Sequence, residues 1–297
     1  MATVRVRLTV AYDGSGFRGF AAQPGQRTVA GDLAGAIARV VGHPVALTCA
    51  GRTDAGVHAW GQVVHADLAA RAGGRPVRPG EVAGELVRPG RPLDPARLAR
   101  SCNAMLGPAV VVREARVVPA TFDARRSALT RSYRYTIQNG PVPDPLVAGR
   151  VWHVACPLDR RAMEAATDPL LGEHDFSAFC RRPPDGGSLV RRVVDARWVV
   201  QPGAGGDMLR FDIEASSFCH QMVRSLVGTL VEVGRGRRRA GDLSWILSAR
   251  DRSLAASPAP PGGLCLWEVR YPEEPLEPSR RGTLEDDTDG RAGVAPR

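Results

Sequence analysis

Hydrophobic and polar side chains alternate at the start of the chain, which predicts a strand with one face in the core. Over residues 3–11, Val4, Val6, Leu8 and Val10 face one way, and the arginines and threonine between them face the other. A period of two residues is typical of a half-buried β-strand. Further strands are predicted at 45–50, 61–68, 109–118, 130–138, 192–200, 207–215 and 264–271.

Segments with a helical period lie between these strands. Residues 28–41 carry one apolar stripe, and Thr28 before it is typical of an N-cap. Asp94 and Pro95 open a second helix in the N-cap and N1 manner. Its apolar stripe is Leu98, Cys102 and Met105. Further helices are predicted from Asp159 to about 171, over 218–233 and over 241–250.

This order of elements predicts an α+β protein with two similar halves, each a mostly antiparallel sheet backed by helices, and a cleft between them. The halves are predicted at 1–108 and 109–271. Residues 69–92 are rich in Gly, Pro and Arg without periodicity, which predicts an insertion loop in the first half. Residues 272–297 are acidic and contain several prolines, which predicts a disordered tail.

The net charge is +9, and all 40 basic residues are arginine. The segment 272–297 holds seven acids and four arginines, a balance of −3, so residues 1–271 carry +9 − (−3) = +12. Ala, Gly and Pro are also abundant, so many single arginines are expected to be solvated surface residues. A basic body nevertheless suits a polyanionic partner, although charge alone does not separate RNA from DNA or a membrane surface.

Several classes of protein are disfavoured by what the sequence lacks. No two of the six cysteines lie within four residues of each other, and the six histidines form no HExxH, so neither a metal site nor a disulfide is expected. No run approaches the roughly 18 apolar residues of a membrane span. The N-terminus has no charged-then-apolar signal layout. We therefore expect a cytoplasmic protein without a membrane partner.

The segment GRTDAGVHA, residues 51–59, is the strongest local candidate for chemistry. Gly51 and Gly56 allow a tight loop between two strands and close approach of a ligand. They bracket Asp54, with Arg52 two residues away. An ordinary polar turn is the competing interpretation, because aspartate is common in turns.

The predicted helix 218–233 is apolar nearly all round, and Arg224 lies within it. A buried guanidinium needs a carboxylate partner, since an unpaired buried charge costs several kcal/mol. Asp54 is the obvious candidate, and such a pair would keep its carboxylate ionised and aimed. Alternatively, Arg224 reaches water along its own stem.

Residues 122–138 interleave basic and aromatic side chains. Tyr133 and Tyr135 are predicted on one face of a strand, with Arg134 on the other. Such a pattern suits phosphates and stacked bases. The alternative is that at least one tyrosine belongs to the core. The nearby arginines that complete the cluster are Arg125, Arg126 and Arg131.

Seven blocks, in order along the chain, together resemble the bacterial tRNA pseudouridine synthase A family. The blocks are YDGSGFRGF, TVAGDLAGAI, GRTDAGVHA, FDARRSALTRSYRY, GEHDFSAF, FCHQMVRSLVGTLVEVG and PAPPGGLCLWEVRY. The resemblance runs from about residue 4 to residue 271, nearly the whole chain. It implies that the predicted cleft binds RNA and is catalytic.

The resemblance also implies an activity and roles for four residues. Members of the family convert uridine to pseudouridine at positions 38, 39 and 40 of the tRNA anticodon stem-loop by base flipping. They use no cofactor and work as cytoplasmic homodimers on tRNA, not DNA. Asp54 matches the catalytic aspartate, and Arg52 the arginine that helps to extrude the base. Tyr133 matches the tyrosine stacked on the uracil, and Arg224 the arginine paired with the aspartate.

The sequence departs from the family pattern in places. Phe20 and Ala21 stand where Trp and Gln are usual, Asp123 replaces a usual His, and 69–92 is longer than in many members. These differences put individual contacts and the geometry of edge loops in doubt. They leave the chemistry unchanged.

Two other classes of function fit parts of the sequence. A non-catalytic RNA-binding module would keep the basic cleft and could lose Asp54. A glycoside or nucleoside hydrolase would need a second carboxylate, for which Asp13, Glu173 and Asp175 are candidates by composition. Within the synthase interpretation, attack at C1′, attack at C6 of uracil and proton removal at C2′ remain open for Asp54.

Overall fold

The structure, a computed structural model, describes residues 3–69, 93–182, 186–203 and 206–272. Its helices are α1 (Val29–Val41), α2 (Pro95–Leu106), α3 (Arg160–Thr167), α4 (Met222–Gly234) and α5 (Asp242–Ala249). Its strands are β1 (Thr3–Tyr12), β2 (Thr48–Cys49), β3 (His58–Ala69), β4 (Val110–Val118), β5 (Thr130–Asn139), β6 (Trp152–Val154), β7 (Gly172–Asp175), β8 (Val190–Gln201), β9 (Asp207–Ala215) and β10 (Leu264–Arg270). The predicted α+β class is confirmed.

The ten strands of the described residues belong to one sheet, in the order β4-β1-β3-β10-β5-β9-β8-β7, with β2 paired to β3 and β6 to β5. Most neighbours are antiparallel, as predicted; β10 with β3 and β6 with β5 are the parallel pairs. The last strand, β10, lies between the strands of the first part of the chain and those of the second. It therefore makes the sheet continuous across the middle of the molecule.

The strand registers place one row of buried side chains across the centre of this sheet. Tyr12 lies opposite Ala59, Ala59 opposite Leu266, and Leu266 opposite Tyr133. Directly opposed residues share a face, and this row belongs to the main hydrophobic core. On the other face, Trp60 and Trp267 stack at 5.8 Å between ring centroids.

Most predicted elements lie where the periodicity put them. Thr28 caps α1 by accepting a hydrogen bond from the Gly31 amide, and Asp94 caps α2. Met105 was wrong as a core residue, because it is 40% exposed while Leu98 and Cys102 are buried. The stripe of α2 is therefore narrower than the sequence predicts.

Helix α4 begins at Met222, not at residue 218 as predicted. The residues before it form a turn, and Gln221 has a positive φ of 64°. A non-glycine residue in this left-handed region costs about 1–2 kcal/mol and ends regular helix geometry. The short strands β6 and β7 were not predicted from the sequence.

The predicted halves meet in a sheet without a break. Strand β4, which follows the predicted boundary at 108, pairs with β1 at the edge formed by the first half. The division at 1–108 and 109–271 stays a prediction. The expected insertion loop (69–92) and acidic tail (272–297) lie almost wholly outside the described residues.

Candidate active site

The loop that follows β2 carries Asp54 and is fixed by buried hydrogen bonds. The hydroxyls of Thr53 and Tyr12 lie 2.7 Å apart, and both are buried. The amide of Gln62 donates to the carbonyl oxygen of Gly51 at 2.7 Å and to the Tyr12 hydroxyl at 3.4 Å. Buried polar groups left unpaired would be costly, so this network favours one loop conformation.

The segment after β1 packs closely against the same loop. The Phe20 amide donates to the carbonyl oxygen of Thr53 at 3.0 Å. A Cβ atom at Gly14 would lie 2.0 Å from the carbonyl oxygen of Val57, so only glycine fits there. The block YDGSGFRGF thus packs against the backbone of the Asp54 loop and helps to fix its conformation.

Asp54 contacts two side chains from the region around the start of α4. Nη1 of Arg224 lies 3.4 Å from Oδ2, and Nε2 of His220 lies 3.2 Å from Oδ1. The Arg224 side chain is 14% exposed and the Asp54 side chain 29% exposed. The predicted pair between Asp54 and Arg224 is therefore present, and the alternative of a solvated Arg224 is wrong.

Arg224 is held by a second contact. Its Nε donates to the carbonyl oxygen of Ala259 at 2.7 Å, and the Ala259 amide donates back to the Arg224 carbonyl oxygen at 2.9 Å. A Cβ at Gly228, one turn along α4, would lie 2.2 Å from the carbonyl oxygen of Ser257. The segment 257–261 therefore packs directly against α4 and holds the Arg224 guanidinium in place.

Tyr133 on β5 lies beside this group. It is 8% exposed, and the ring of Phe218 packs edge-on against it with 4.9 Å between centroids. Burial, and then the negative charge of Asp54, raise the pKa of the Tyr133 phenol above its ordinary value. The tyrosine is thus a neutral phenol within the electrostatic reach of the carboxylate.

Comparisons with known proteins agree with the resemblance in the sequence. A family model described as tRNA pseudouridine synthase matches residues 166–272. A protein named tRNA pseudouridine synthase A from Frankia casuarinae is 43% identical over 274 residues, which cover 92% of this chain and 91% of the relative. One of the same name from Aromatoleum aromaticum is 44% identical over 268 residues, which cover 90% of this chain and 92% of the relative. The chain belongs to the tRNA pseudouridine synthase A family. A Methylobacterium sp. protein of the same name is 44% identical over 269 residues, which cover 91% of this chain and 98% of the relative.

In this member of the tRNA pseudouridine synthase A family, Arg52 projects from the Asp54 loop with an exposed side chain. Its guanidinium forms no hydrogen bond or ion pair with another described residue. Its positive charge acts on the Cys49 thiol. Burial raises the pKa of this thiol, and the charge of Arg52 offsets part of that rise. A cation held at the loop without an internal partner is available to an anionic ligand.

Arg131 is a structural residue and not part of an open basic surface. It is 9% exposed, and burial lowers the pKa of its guanidinium. It donates to four carbonyl oxygens, those of Ala128, Ser216, Ala50 and Arg125. Since Ala50 precedes the Asp54 loop, Arg131 joins this loop to the ends of β5 and β9.

Two further members of the predicted basic and aromatic cluster have structural contacts. Tyr135 is fully buried, and its hydroxyl donates to the carbonyl oxygen of Pro260 at 2.8 Å. Arg134 faces the opposite side of the sheet, as predicted, and lies 3.5 Å above the ring of Trp267. Arg125 and Arg126 remain exposed, so these two arginines are the exposed members of the predicted cluster, and Tyr133 is buried.

His220 was missed from the sequence, although it lies only four residues before Arg224. The carboxylates proposed for a hydrolase have other contacts. Asp13 lies 3.3 Å from Nδ1 of His58, and Asp175 lies 3.6 Å from Nε of Arg250. Glu173 is exposed on β7. Within the described ranges, no carboxylate makes a hydrogen bond to Asp54.

The described part of the chain holds no group of three or more His, Cys, Asp or Glu side chains arranged to bind a metal ion. Over the same residues, no helix has the length and apolar surface needed to cross a membrane. The described side chains around Asp54 are the guanidinium of Arg224, the imidazole of His220 and the phenol of Tyr133.

Proposed function

We propose that the protein isomerises uridine to pseudouridine in the anticodon stem-loop of tRNA, at positions 38, 39 and/or 40, with Asp54 as the catalytic carboxylate and the target base flipped out. The family to which the chain belongs consists of isomerases that act on tRNA. The positions and the chemical roles are the part that we add.

The observation that carries the proposal is the position of Asp54. It is a partly exposed carboxylate at the tip of a loop that is fixed from below by Thr53 and Gly51. Arg224 and His220 each contact one of its oxygens. A preorganised carboxylate with an open side is what attack on a bound nucleoside needs.

The overall reaction is an isomerisation and needs no further reactant. The bond from N1 of uracil to C1′ of the ribose breaks, the base turns, and a bond from C5 to C1′ forms. C5 loses its proton, and N1 gains one. Asp54 starts the sequence at C1′ or C6, or by removing the C2′ proton; its oxygens suit each of these steps.

Base flipping costs a few kcal/mol for a stacked nucleotide, so a flipping enzyme needs groups that hold the extruded state. Arg52 is exposed beside Asp54 and free to contact the RNA backbone or fill the gap in the stack. Tyr133 offers a ring for the uracil, and its hydroxyl can take up the proton lost at C5 while passing its own proton to the Asp54 carboxylate. Phe218 keeps that ring in place.

The homodimer and the cytoplasmic location predicted from the resemblance belong to the same proposal. Light scattering on the purified protein measures its mass in solution. A mass of two chains is expected, and a mass of one chain at all protein concentrations would contradict the homodimer.

The function itself is tested by incubating unmodified tRNA transcripts with the protein and mapping pseudouridine by chemical labelling and reverse-transcription stops. Stops at any of positions 38–40 are expected. Free uracil in the supernatant would identify a hydrolase instead, and tight binding without either product would identify an RNA-binding module.

A further inference from the structure

A cavity of about 540 Å³ beside the Asp54 site is walled by arginines. Its charged and polar lining includes Ser177, Arg181, Arg182, Arg250, Asp251 and Arg252. Four guanidinium groups against one carboxylate give this lining a net charge of +3. We call it the arginine cavity. Such a concentration of positive charge in a concave surface attracts anions.

The arginine cavity adjoins the catalytic group through a direct backbone contact. The amide of Arg181 donates to the carbonyl oxygen of His220 at 3.2 Å. The His220 imidazole lies 3.2 Å from Asp54. One residue thus separates the wall of the cavity from the Asp54 carboxylate, which puts the cavity next to the nucleotide that Asp54 would act on.

The four arginines of the cavity differ in whether their guanidinium groups already have partners within the protein. Nε of Arg250 lies 3.6 Å from Asp175. Arg252 donates to the Ser225 hydroxyl and to the Ala256 carbonyl oxygen, both at 3.4 Å. Arg181 and Arg182 are exposed, and their side chains have no hydrogen bond or ion pair with other described residues.

The backbone at Arg250 is a separate indication that this wall serves a ligand. Arg250 ends α5 with φ 54° and ψ 21°, in the left-handed region. Glycine is the usual and less strained residue at such a helix end. Non-glycine residues held in this region cluster at functional sites. Here the strained position supplies a guanidinium to the cavity wall.

We propose that the arginine cavity binds a phosphodiester group of the substrate RNA next to the target nucleotide, mainly through Arg181 and Arg182. The inference rests on the proposed function, since it assigns a second contact on the same substrate. Guanidinium groups match the oxygens of a phosphate with paired hydrogen bonds. Arg250 and Arg252 supply further positive charge from fixed positions.

The test removes the two cavity charges that make no hydrogen bond or ion pair with other described residues. Arg181→Gln/Arg182→Gln is compared with the matched control Arg39→Gln/Arg161→Gln, which removes two exposed arginines from α1 and α3. KM and kcat for an unmodified tRNA transcript are measured from low to moderate salt. In the same samples, affinity for a labelled anticodon stem-loop is measured by fluorescence anisotropy.

For the cavity variant we expect KM and Kd to rise about tenfold at low salt, with kcat within a factor of two of wild type. The slope of log affinity against log salt should become shallower by about 1.4, because each lost phosphate contact on a single strand removes about 0.7. Arg181→Lys/Arg182→Lys should restore most of the slope. The control should keep the wild-type KM and slope.

Unchanged KM, Kd and salt slope in the cavity variant would overturn the inference. An equal loss of affinity in the control would also overturn it, because removing any two surface arginines would then weaken RNA binding to the same extent. If inorganic phosphate occupied the cavity without the RNA backbone doing so, the variant would bind the stem-loop like wild type, which also overturns it. A wild-type protein that binds the stem-loop but forms no pseudouridine would instead refute the proposed function. The anisotropy measurements would in that case still test whether the cavity binds the RNA backbone.

Discussion

The ion pair between Asp54 and Arg224 can be measured as a coupling free energy. Two unit charges 3.4 Å apart attract by about 5 kcal/mol at an effective dielectric constant of about 20. Lost hydration and the partial exposure of both side chains reduce the net coupling to about 1–2 kcal/mol. The bond from Arg224 to the Ala259 carbonyl oxygen is separate and contributes about 1.5–3 kcal/mol.

The assay is urea unfolding of wild type, Asp54→Asn, Arg224→Met and the double variant. Arg224→Met alone should lose about 2.5–5 kcal/mol of the free energy of unfolding, because both contacts disappear. In the Asp54→Asn background, the same substitution should lose about 1–2 kcal/mol less. Equal losses in the two backgrounds would refute the reasoning, since the carboxylate and the guanidinium would then not interact energetically.

Three further predictions concern the tyrosines and Arg131. Tyr133→Phe should bind tRNA like wild type but lower kcat at least tenfold, since the phenol assists proton transfer; wild-type turnover in a pseudouridine release assay would show that the hydroxyl is idle. Arg131→Met should lower the free energy of unfolding by about 3 kcal/mol or more, because one buried and three partly buried carbonyl oxygens lose their donor. The exposed Arg126→Met should change it little, and similar urea midpoints for both would contradict the structural role. Burial raises the pKa of all four tyrosines, Tyr12, Tyr133, Tyr135 and Tyr271, so the folded protein holds these protons above pH 10 while the unfolded chain releases them. The part of the free energy of unfolding that depends on these protonated phenols is fully present below about pH 10. Above that pH it falls by up to about 5 kcal/mol per pH unit. Phenolate absorbance that appears near pH 10 without loss of near-UV circular dichroism would contradict this prediction.

The pairing of Asp54 with Arg224 could be predicted from the sequence because it follows from local information. A helix that is apolar on all sides buries whatever lies within it, and a buried guanidinium needs a carboxylate. The glycine-bracketed loop supplied one candidate. The distance of 3.4 Å bears out that step of the reasoning.

His220 could not be found in the same way. The hydrophobic pattern continues through Phe218, so the helix was predicted four residues too early. The left-handed conformation of Gln221 has no signature in local periodicity. It takes His220 off the helix and sets it against Asp54.

The role of Arg131 was also beyond local reasoning. The sequence analysis named it only as one arginine of the basic cluster, whereas its four acceptors come from separate segments of the chain. The place of β10 in the sheet has the same cause. Its sequence predicts a strand, whereas its neighbours β3 and β5 are set by long-range packing.

The central claim is that Asp54 drives the isomerisation of uridine in tRNA. Its most direct test compares Asp54→Asn with wild type in one experiment that records tRNA affinity and pseudouridine yield under single-turnover conditions. The account predicts a Kd within about threefold of wild type, because the loop is held by Thr53 and Gly51 and the substitution is isosteric. It predicts no detectable pseudouridine. Wild-type yield from Asp54→Asn would contradict the claim.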